Sequence, residues 1–404
     1  MKPMDDVALR YLLLAHRLGR HHPGLVDSYT GPPEIAEAVA GEEPIPPAEL
    51  HAEAMRLADA VAELPTDTAL RQRRAAWLSD QLIALSALAR QADGEEIGFI
   101  DLAEQLFDIQ VRPEPEETFA TARRMIEAAL PGTASLQARL QEHERSATIP
   151  PGEVLATVRS LAETMRGRML MQLWLPPGES VTIEPLEGEQ WVAEMRYLGS
   201  RRSQVRVNLG LPVSLARVVE LAAHECYPGH HAEAVVKDAL LVATGHAETT
   251  LQLDLAPEAV IHEGMATYAR EVVMSDAELA AEFEQVARRL GMKVAIGAEM
   301  IVRRAERLLT PAIGNAALQL HVDGRAPEAV HRYLGEVGLL ADAQLEATFS
   351  LISDPTWGRY FFTYIEGRRL VGEWLVQQGQ THGYGRLLAE QLTPRALRSE
   401  LQLA

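Results

Sequence analysis

Residues 224–231 read His-Glu-Cys-Tyr-Pro-Gly-His-His, which puts three imidazoles and a carboxylate within a single short stretch. Imidazole nitrogens and carboxylate oxygens are the usual ligands of a catalytic zinc ion, and a carboxylate beside them can serve as the general base. A second stretch, Ile261-His262-Glu263-Gly264-Met265-Ala266-Thr267-Tyr268, carries another carboxylate within an apolar-periodic run. Together the two predict the ligand-bearing helices of a metal-dependent hydrolase.

In the common His-Glu-x-x-His pattern the histidines stand four apart, on one face of a helix. Here His230 follows His224 by six residues and His231 by seven. An ideal helix turns about 100° and rises about 1.5 Å per residue, so His230 would lie about 240° around the axis and His231 roughly 10 Å along it. Zinc–nitrogen bonds of about 2.0–2.1 Å bridge neither separation. Pro228-Gly229 supplies the way out. Proline cannot donate to the carbonyl of His224 and its ring crowds that carbonyl, while glycine takes dihedrals closed to other residues. The helix is therefore expected to bulge or kink there and return a histidine to the ion. His230 is the expected second ligand and His231 the alternative.

Catalytic zinc commonly has three protein ligands and one open position. Glu263 is the expected third ligand, with Glu271 as second choice. Glu225, beside His224, is the expected general base for a water activated by the ion. Cys226 points elsewhere on the helix and reads as a small buried thiol. One Zn2+ suits two imidazoles and a carboxylate, although manganese, cobalt or nickel can occupy the same ligands.

The elements that must position these residues are mostly helical. The chain is 47% apolar and only 5% aromatic, and its wealth of Ala, Leu, Glu and Arg favours helix. Apolar periodicity predicts helices over 5–20, over 48–88 with a break near Pro65 and Asp67, and over 96–107, 115–130, 133–144 and 151–173. Residues 27–33 read as a Gly/Pro turn. After Pro176-Pro177-Gly178, residues 180–185, 191–198 and 204–209 alternate enough to predict a small antiparallel β-sheet, with turns near Glu187-Gly188 and Gly199-Ser200. Helices resume after Pro212. Ser214 is the expected N-cap of the His224 helix. Asp254 and Pro257 open the Glu263 helix, where Ala259, Ala266 and Thr267 allow close packing. The Pro150-Pro151-Gly152 hinge separates a helical region, 1–150, from a catalytic region, 151–404, with its sheet at about 180–209. The two could pack as one body.

With 404 residues the chain can bury a large core of about two or three domain-sized units. Its 38 basic and 57 acidic side chains give a charge of −19, which repels phosphate backbones, so nucleic acid is not an expected partner. A single cysteine rules out an intrachain disulfide framework. No run of about 18 apolar residues marks a membrane span, and the first residues do not look like a secretory signal. The expected location is cytoplasmic.

The two motifs resemble those of a bacterial family long catalogued as a domain of unknown function and placed among the zincin-like (gluzincin) metallopeptidases. Its hallmarks, His-Glu-x-x-Pro-Gly-His-His and a helix with Glu-Gly-x-Ala-x-Tyr, match His224 to His231 and Glu263 to Tyr268. The segment Asp27-Ser28-Tyr29-Thr30-Gly31-Pro32, the pair Leu320-His321 with Ala326-Pro327-Glu328-Ala329-Val330, and Tyr364-Ile365-Glu366-Gly367 look like further family segments, in order. The resemblance spans most of the chain. It implies a mainly α, two-lobed zincin-like metallopeptidase fold with a cleft over the zinc. It also implies that strand 205–209 is the sheet edge along which a peptide pairs, and that Tyr364 and His321 hydrogen-bond the oxyanion. Arg201, Arg202, Arg368 and Arg369 could hold a peptide carboxylate, or form a solvated basic face. The expected substrate is a short peptide or other small amide. The rival readings are a hydrolase of a non-peptide amide or ester and a non-catalytic metal-binding scaffold. Glu225 argues against the scaffold, because a structural site has no use for a base.

Overall fold

A computed structural model describes residues 4–186 and 192–402. The chain is mainly helical, and its first half follows the expected periodicities with helices Asp6–Gly19, Pro47–Ala62, Ala69–Ala92, Phe99–Phe107, Glu116–Ala129, Leu136–Ala147 and Pro151–Leu170. Local chemistry sets their starts. The side chains of Asp5, Thr68 and Ser135 accept the N–H groups of Ala8, Arg71 and Ala138, satisfying donors that have no partner inside the helix. Pro47 and Pro151 instead occupy the first helical position, where the missing N–H costs no hydrogen bond. Among the described residues no helix is long and apolar enough to cross a membrane.

The sheet expected at about 180–209 forms, but it is mixed rather than antiparallel. With β1 at Val26–Tyr29, its strands are β2 (Ser180–Leu186), β3 (Ala193–Tyr197) and β4 (Arg202–Asn208), in the order β2–β4–β3. Strands β3 and β4 form an antiparallel hairpin over Gly199-Ser200, whereas β2 lies parallel on the far side of β4. The hairpin takes one edge of β4, leaving only the other edge for β2. The expected edge strand 205–209 is therefore central, with both backbone edges paired, and β3 is an outer strand. Period-2 alternation gave the strand, but it reports which face is buried and not which neighbour is paired. The turn expected at Glu187-Gly188 lies outside the described residues.

The segment read as a turn at 27–33 holds a strand. Antiparallel to β1 runs β5 (Leu251–Leu253), with Tyr29 opposite Leu251 and Val26 opposite Leu253 across a bulge. The Asp254 N–H bonds the carbonyl of Leu25 at 3.0 Å. This ribbon ties the N-terminal region to the approach of the Glu263 helix. At four and three residues its strands are too short to show a period.

The cores do not divide at residue 150. One gathers Tyr11, Leu14, Trp77 and Phe107 with Leu253, Val260, Ile313 and Phe362. Another gathers Val158, Met165, Val205 and Val218 with Ile261, Met265, Val371 and Trp374. The helices Pro257–Val273 and Phe361–Gln378 contribute to both. A helix buried nearly all around belongs at such a seam, and Glu263 sits there, 5% exposed. The two helices touch through backbone: a Cβ on Gly264 would lie 2.5 Å from the carbonyl carbon of Gly367, and one on Gly367 would lie 2.4 Å from the Val260 carbonyl oxygen. Replacing Gly264 with Ala is expected to destabilise the protein by about 1–3 kcal/mol or more through overpacking. Chemical denaturation tests this, and an unchanged midpoint would mean that the contact is not tight.

Candidate metal centre

Ser214 caps the expected helix, its Oγ accepting from the Arg217 N–H at 3.2 Å. The helix runs Leu215–Leu221, then widens into a π turn, Ala222–Cys226. The Tyr227 N–H reaches back to the Ala222 carbonyl at 3.2 Å and the Gly229 N–H to the Ala223 carbonyl at 3.0 Å. A fresh helix, His230–Leu240, begins directly afterwards. The wide turn and the break absorb the surplus between the histidines. Gly229 is needed here for space: a Cβ would lie 1.9 Å from the His224 carbonyl oxygen and 2.5 Å from that of Ala223.

This geometry brings His224, His230 and Glu263 together. The two Nε2 atoms are 3.0 Å apart, and Glu263 Oε2 lies 3.3 Å from His224 Nε2 and 3.7 Å from His230 Nε2. Ligand atoms about 2.0–2.1 Å from one zinc ion at tetrahedral angles stand about 3.3–3.4 Å from one another. Among the described residues Glu263 Oε2 is buried and makes no well-formed hydrogen bond, its nearest polar neighbours being the two histidine nitrogens, as expected of an oxygen that shares a cation with them. Donor chemistry and spacing fit a zinc ion. His224 keeps 21% of its side-chain surface exposed against 7% for His230 and for Glu263, so solvent reaches the cluster from the His224 side.

Electrostatics tune each group. Burial and the neighbouring His262 and His224 charges hold His230 well below its ordinary value, leaving a neutral ring with a lone pair to donate. Burial pulls His224 down, but the Glu263 and Glu225 carboxylates hold it above its ordinary value. Burial also opposes the charge of Glu263, which contact with His224 and the bond from Tyr360 keep low. Burial and the Glu263 charge push Glu225 above the usual carboxylate range, toward the range useful to a general base. Burial likewise raises the Cys226 thiol, and this residue packs into the core.

His231 goes elsewhere. One residue beyond His230, it faces the sheet, completely buried, with Nδ1 2.7 Å from Ser203 Oγ and Nε2 2.9 Å from Glu179 Oε2. Both ring nitrogens are engaged, so the alternative ligand is a structural histidine. Tyr227 donates to the same Glu179 oxygen at 2.5 Å, and Arg166 reaches the other at 2.7 Å. His321 is not at the centre either. Its Nε2 is 2.6 Å from the Ile352 carbonyl oxygen and its ring stacks on Phe99, so the oxyanion role implied for it is corrected to a packing role. Glu271 is taken up by Arg307 and Arg368. Arg201 bonds the Pro177 carbonyl, and Arg369 bonds Glu366 and Glu373. Tyr364 is near, its ring 6.4 Å from that of His224.

Several neighbours escaped the sequence reading. Tyr360 donates to Glu263 Oε1 at 2.8 Å. The Tyr384 hydroxyl lies 3.2 Å from the Pro228 carbonyl and 3.1 Å from that of Met265, clasping the break to the Glu263 helix. His262 stacks on His230 with centroids 3.7 Å apart and bonds Glu233 through Nδ1. The Glu233 charge overcomes burial to raise His262 to about 9. His230, Glu233 and His262 are close enough to suggest a second ion site, but the Lys237 ammonium on Glu233 already supplies the cation. His262, adjacent to Glu263 and on an apolar-periodic run, was the one with a usable signal.

The His231 network makes a pH prediction. Burial raises Glu179, but bonds from His231, Tyr227 and Arg166 outweigh it and hold the carboxyl at about 2, against an ordinary 4.5. The resulting stability is full above the ordinary value and is lost as pH falls toward the folded one. The melting-temperature gap between wild type and Glu179→Gln is expected to close between pH 4.5 and about 2. A gap that persists at the acid end would show that the carboxylate's charge is not its source.

No protein-family model matches this chain, and no curated protein does. Among solved structures it is similar to "the putative lipoprotein from Colwellia psychrerythraea", with a TM-score of 0.56 and 15% identity over 88% of this chain and 67% of that one. It is also similar to "a putative lipoprotein of unknown function from Shewanella oneidensis", with a TM-score of 0.50 and 13% identity over 96% and 77%. At these identities the likeness is one of fold.

Proposed function

We propose that this chain is a zinc-dependent hydrolase of zincin type that cleaves amide bonds in short peptides. The observation that carries this reading is the orphaned, buried Oε2 of Glu263, converging with two imidazole nitrogens at the spacing of tetrahedral zinc ligands, beside Glu225. His224, His230 and Glu263 would hold the ion. Bound there, zinc would supply Lewis acidity, polarising the scissile carbonyl and making a water more acidic.

The remaining work falls to the chain's own groups. Glu225, raised above the usual carboxylate range by burial, takes the proton from the attacking water and can pass it to the leaving amine. Tyr364, beside the more exposed histidine, donates a hydrogen bond to the oxygen on which negative charge develops. The outer strand β3 packs against the π turn that carries His224, so its outer edge, unpaired among the described residues, suits an extended peptide, which would pair backbone to backbone. A cytoplasmic location belongs to this proposal, and recovery of the native protein with membranes would remove it.

The test pairs metal content with turnover. Wild type purified without chelator is expected to hold about one equivalent of zinc, as one such site takes, and His224→Ala and His230→Ala to lose it. His231→Ala, if folded, should retain zinc. Glu225→Gln should retain zinc while turnover falls about 10²–10⁴-fold. A screen across short peptides, non-peptide amides and esters then reads the substrate class. Zinc uptake with no hydrolysis of any of them would favour a metal-binding scaffold, and undiminished turnover in Glu225→Gln would remove that residue as the base.

A further inference from the structure

The two oxygens of Glu263 have different surroundings. Oε1 accepts the Tyr360 hydroxyl at 2.8 Å, whereas Oε2 is without a partner and faces the two histidine nitrogens. A carboxylate is free to rotate about its last bond and can offer an ion one oxygen or both. With the Tyr360 phenol on Oε1, the carboxylate is turned so that Oε2 is the oxygen facing the histidines. Groups beyond the ligands that orient them in this way commonly govern metal affinity.

Tyr360 is itself held in place. It follows the 3₁₀ turn Trp357–Arg359 and immediately precedes the helix Phe361–Gln378. Its ring meets the edges or faces of three others: Phe107 at 6.5 Å and 74°, Trp357 at 5.9 Å and 61°, and Tyr364 at 5.7 Å and 77°. Such tilted aromatic contacts restrict the ring as well as burying it. The Asp354 carboxylate accepts the N–H groups of Thr356 and Trp357 at 2.7 and 2.8 Å, fixing the turn. The Trp357 ring in turn lies against Gly24, where a Cβ would be only 2.7 Å from it. Phe107 and Gly24 both belong to the N-terminal region, so residues far from either motif build the wall behind this tyrosine.

We infer that Tyr360 is a positioning residue whose hydroxyl fixes the Glu263 carboxylate so that Oε2 alone is presented to the ion. Tyr364, one helical turn further on, lies beside both His224 and the Glu263 carboxylate. The inference rests on the proposed metal reading.

Competition with a chromophoric chelator measures the zinc affinity of wild type, Tyr360→Phe and Tyr364→Phe. Tyr360→Phe is expected to bind zinc about 10–100-fold more weakly. Its cobalt(II) form should show weaker visible absorption, because the freed Oε1 raises the coordination number. Tyr364→Phe should lose less zinc affinity than Tyr360→Phe, and an equal or larger loss there overturns the assignment to Tyr360. Wild-type affinity and an unaltered cobalt spectrum in Tyr360→Phe overturn the inference while leaving the zinc site standing. A wild type that takes up no zinc overturns the metal reading, and this inference with it. If Tyr360→Phe does not fold, Phe107→Leu decides, since it keeps the hydroxyl but loosens the ring's seat. It should weaken zinc binding in the same direction, and wild-type affinity there overturns the inference.

Discussion

Two helices meet backbone to backbone at Gly264 and Gly367, and much of the candidate centre depends on that contact. Any side chain at either position would push the helices apart. Pressed together, Pro257–Val273 presents Glu263 while the segment entering Phe361–Gln378 presents Tyr360 and Tyr364 across from it. The same two helices run through both large cores, so the Glu263 carboxylate is braced from both sides. Rigid elements place chemical groups more accurately than loops do, and here the break at 227–229 is clasped by Tyr384.

The centre also concentrates negative charge beyond its ligands. Glu225, Glu233 and Glu263 are buried. Burial and the Asp27 and Glu263 charges raise Asp254 above its ordinary value. Against them stand His262 and Lys237, both spent on Glu233. Buried charge is costly unless it is paired or coordinated. A cation shared by Glu263 and the two histidines would relieve part of that cost, which gives the site an electrostatic reason to bind metal apart from the ligand geometry.

Adjacent histidines do opposite jobs because neighbours on a helix point about 100° apart. His230 faces Glu263, and His231 faces Glu179 and the sheet. The second residue anchors the helix that carries the first. A motif can therefore contain both a candidate ligand and the structural group that keeps its helix in place.

The sequence determined the helical class, most helix positions, the cap at Ser214 and a break at Pro228-Gly229 that returns a later histidine toward His224, because these follow from spacing, local hydrogen bonding and the steric effect of that dipeptide. Only tertiary structure decided the rest. Whether His230 or His231 turned to the carboxylate depended on how far the π turn and the break rotate the chain, which no local pattern states. The pairing of β2 with β4 and of β1 with β5 joins residues far apart, and strand alternation carries no label for the partner. His321 had the right type but packs against Phe99. Tyr360 had no motif at all, yet it lies on Glu263 because a glycine contact seven residues further on brings its helix there. Ligand types and spacing are encoded locally, whereas the groups that orient them are chosen by which surfaces the fold brings into contact.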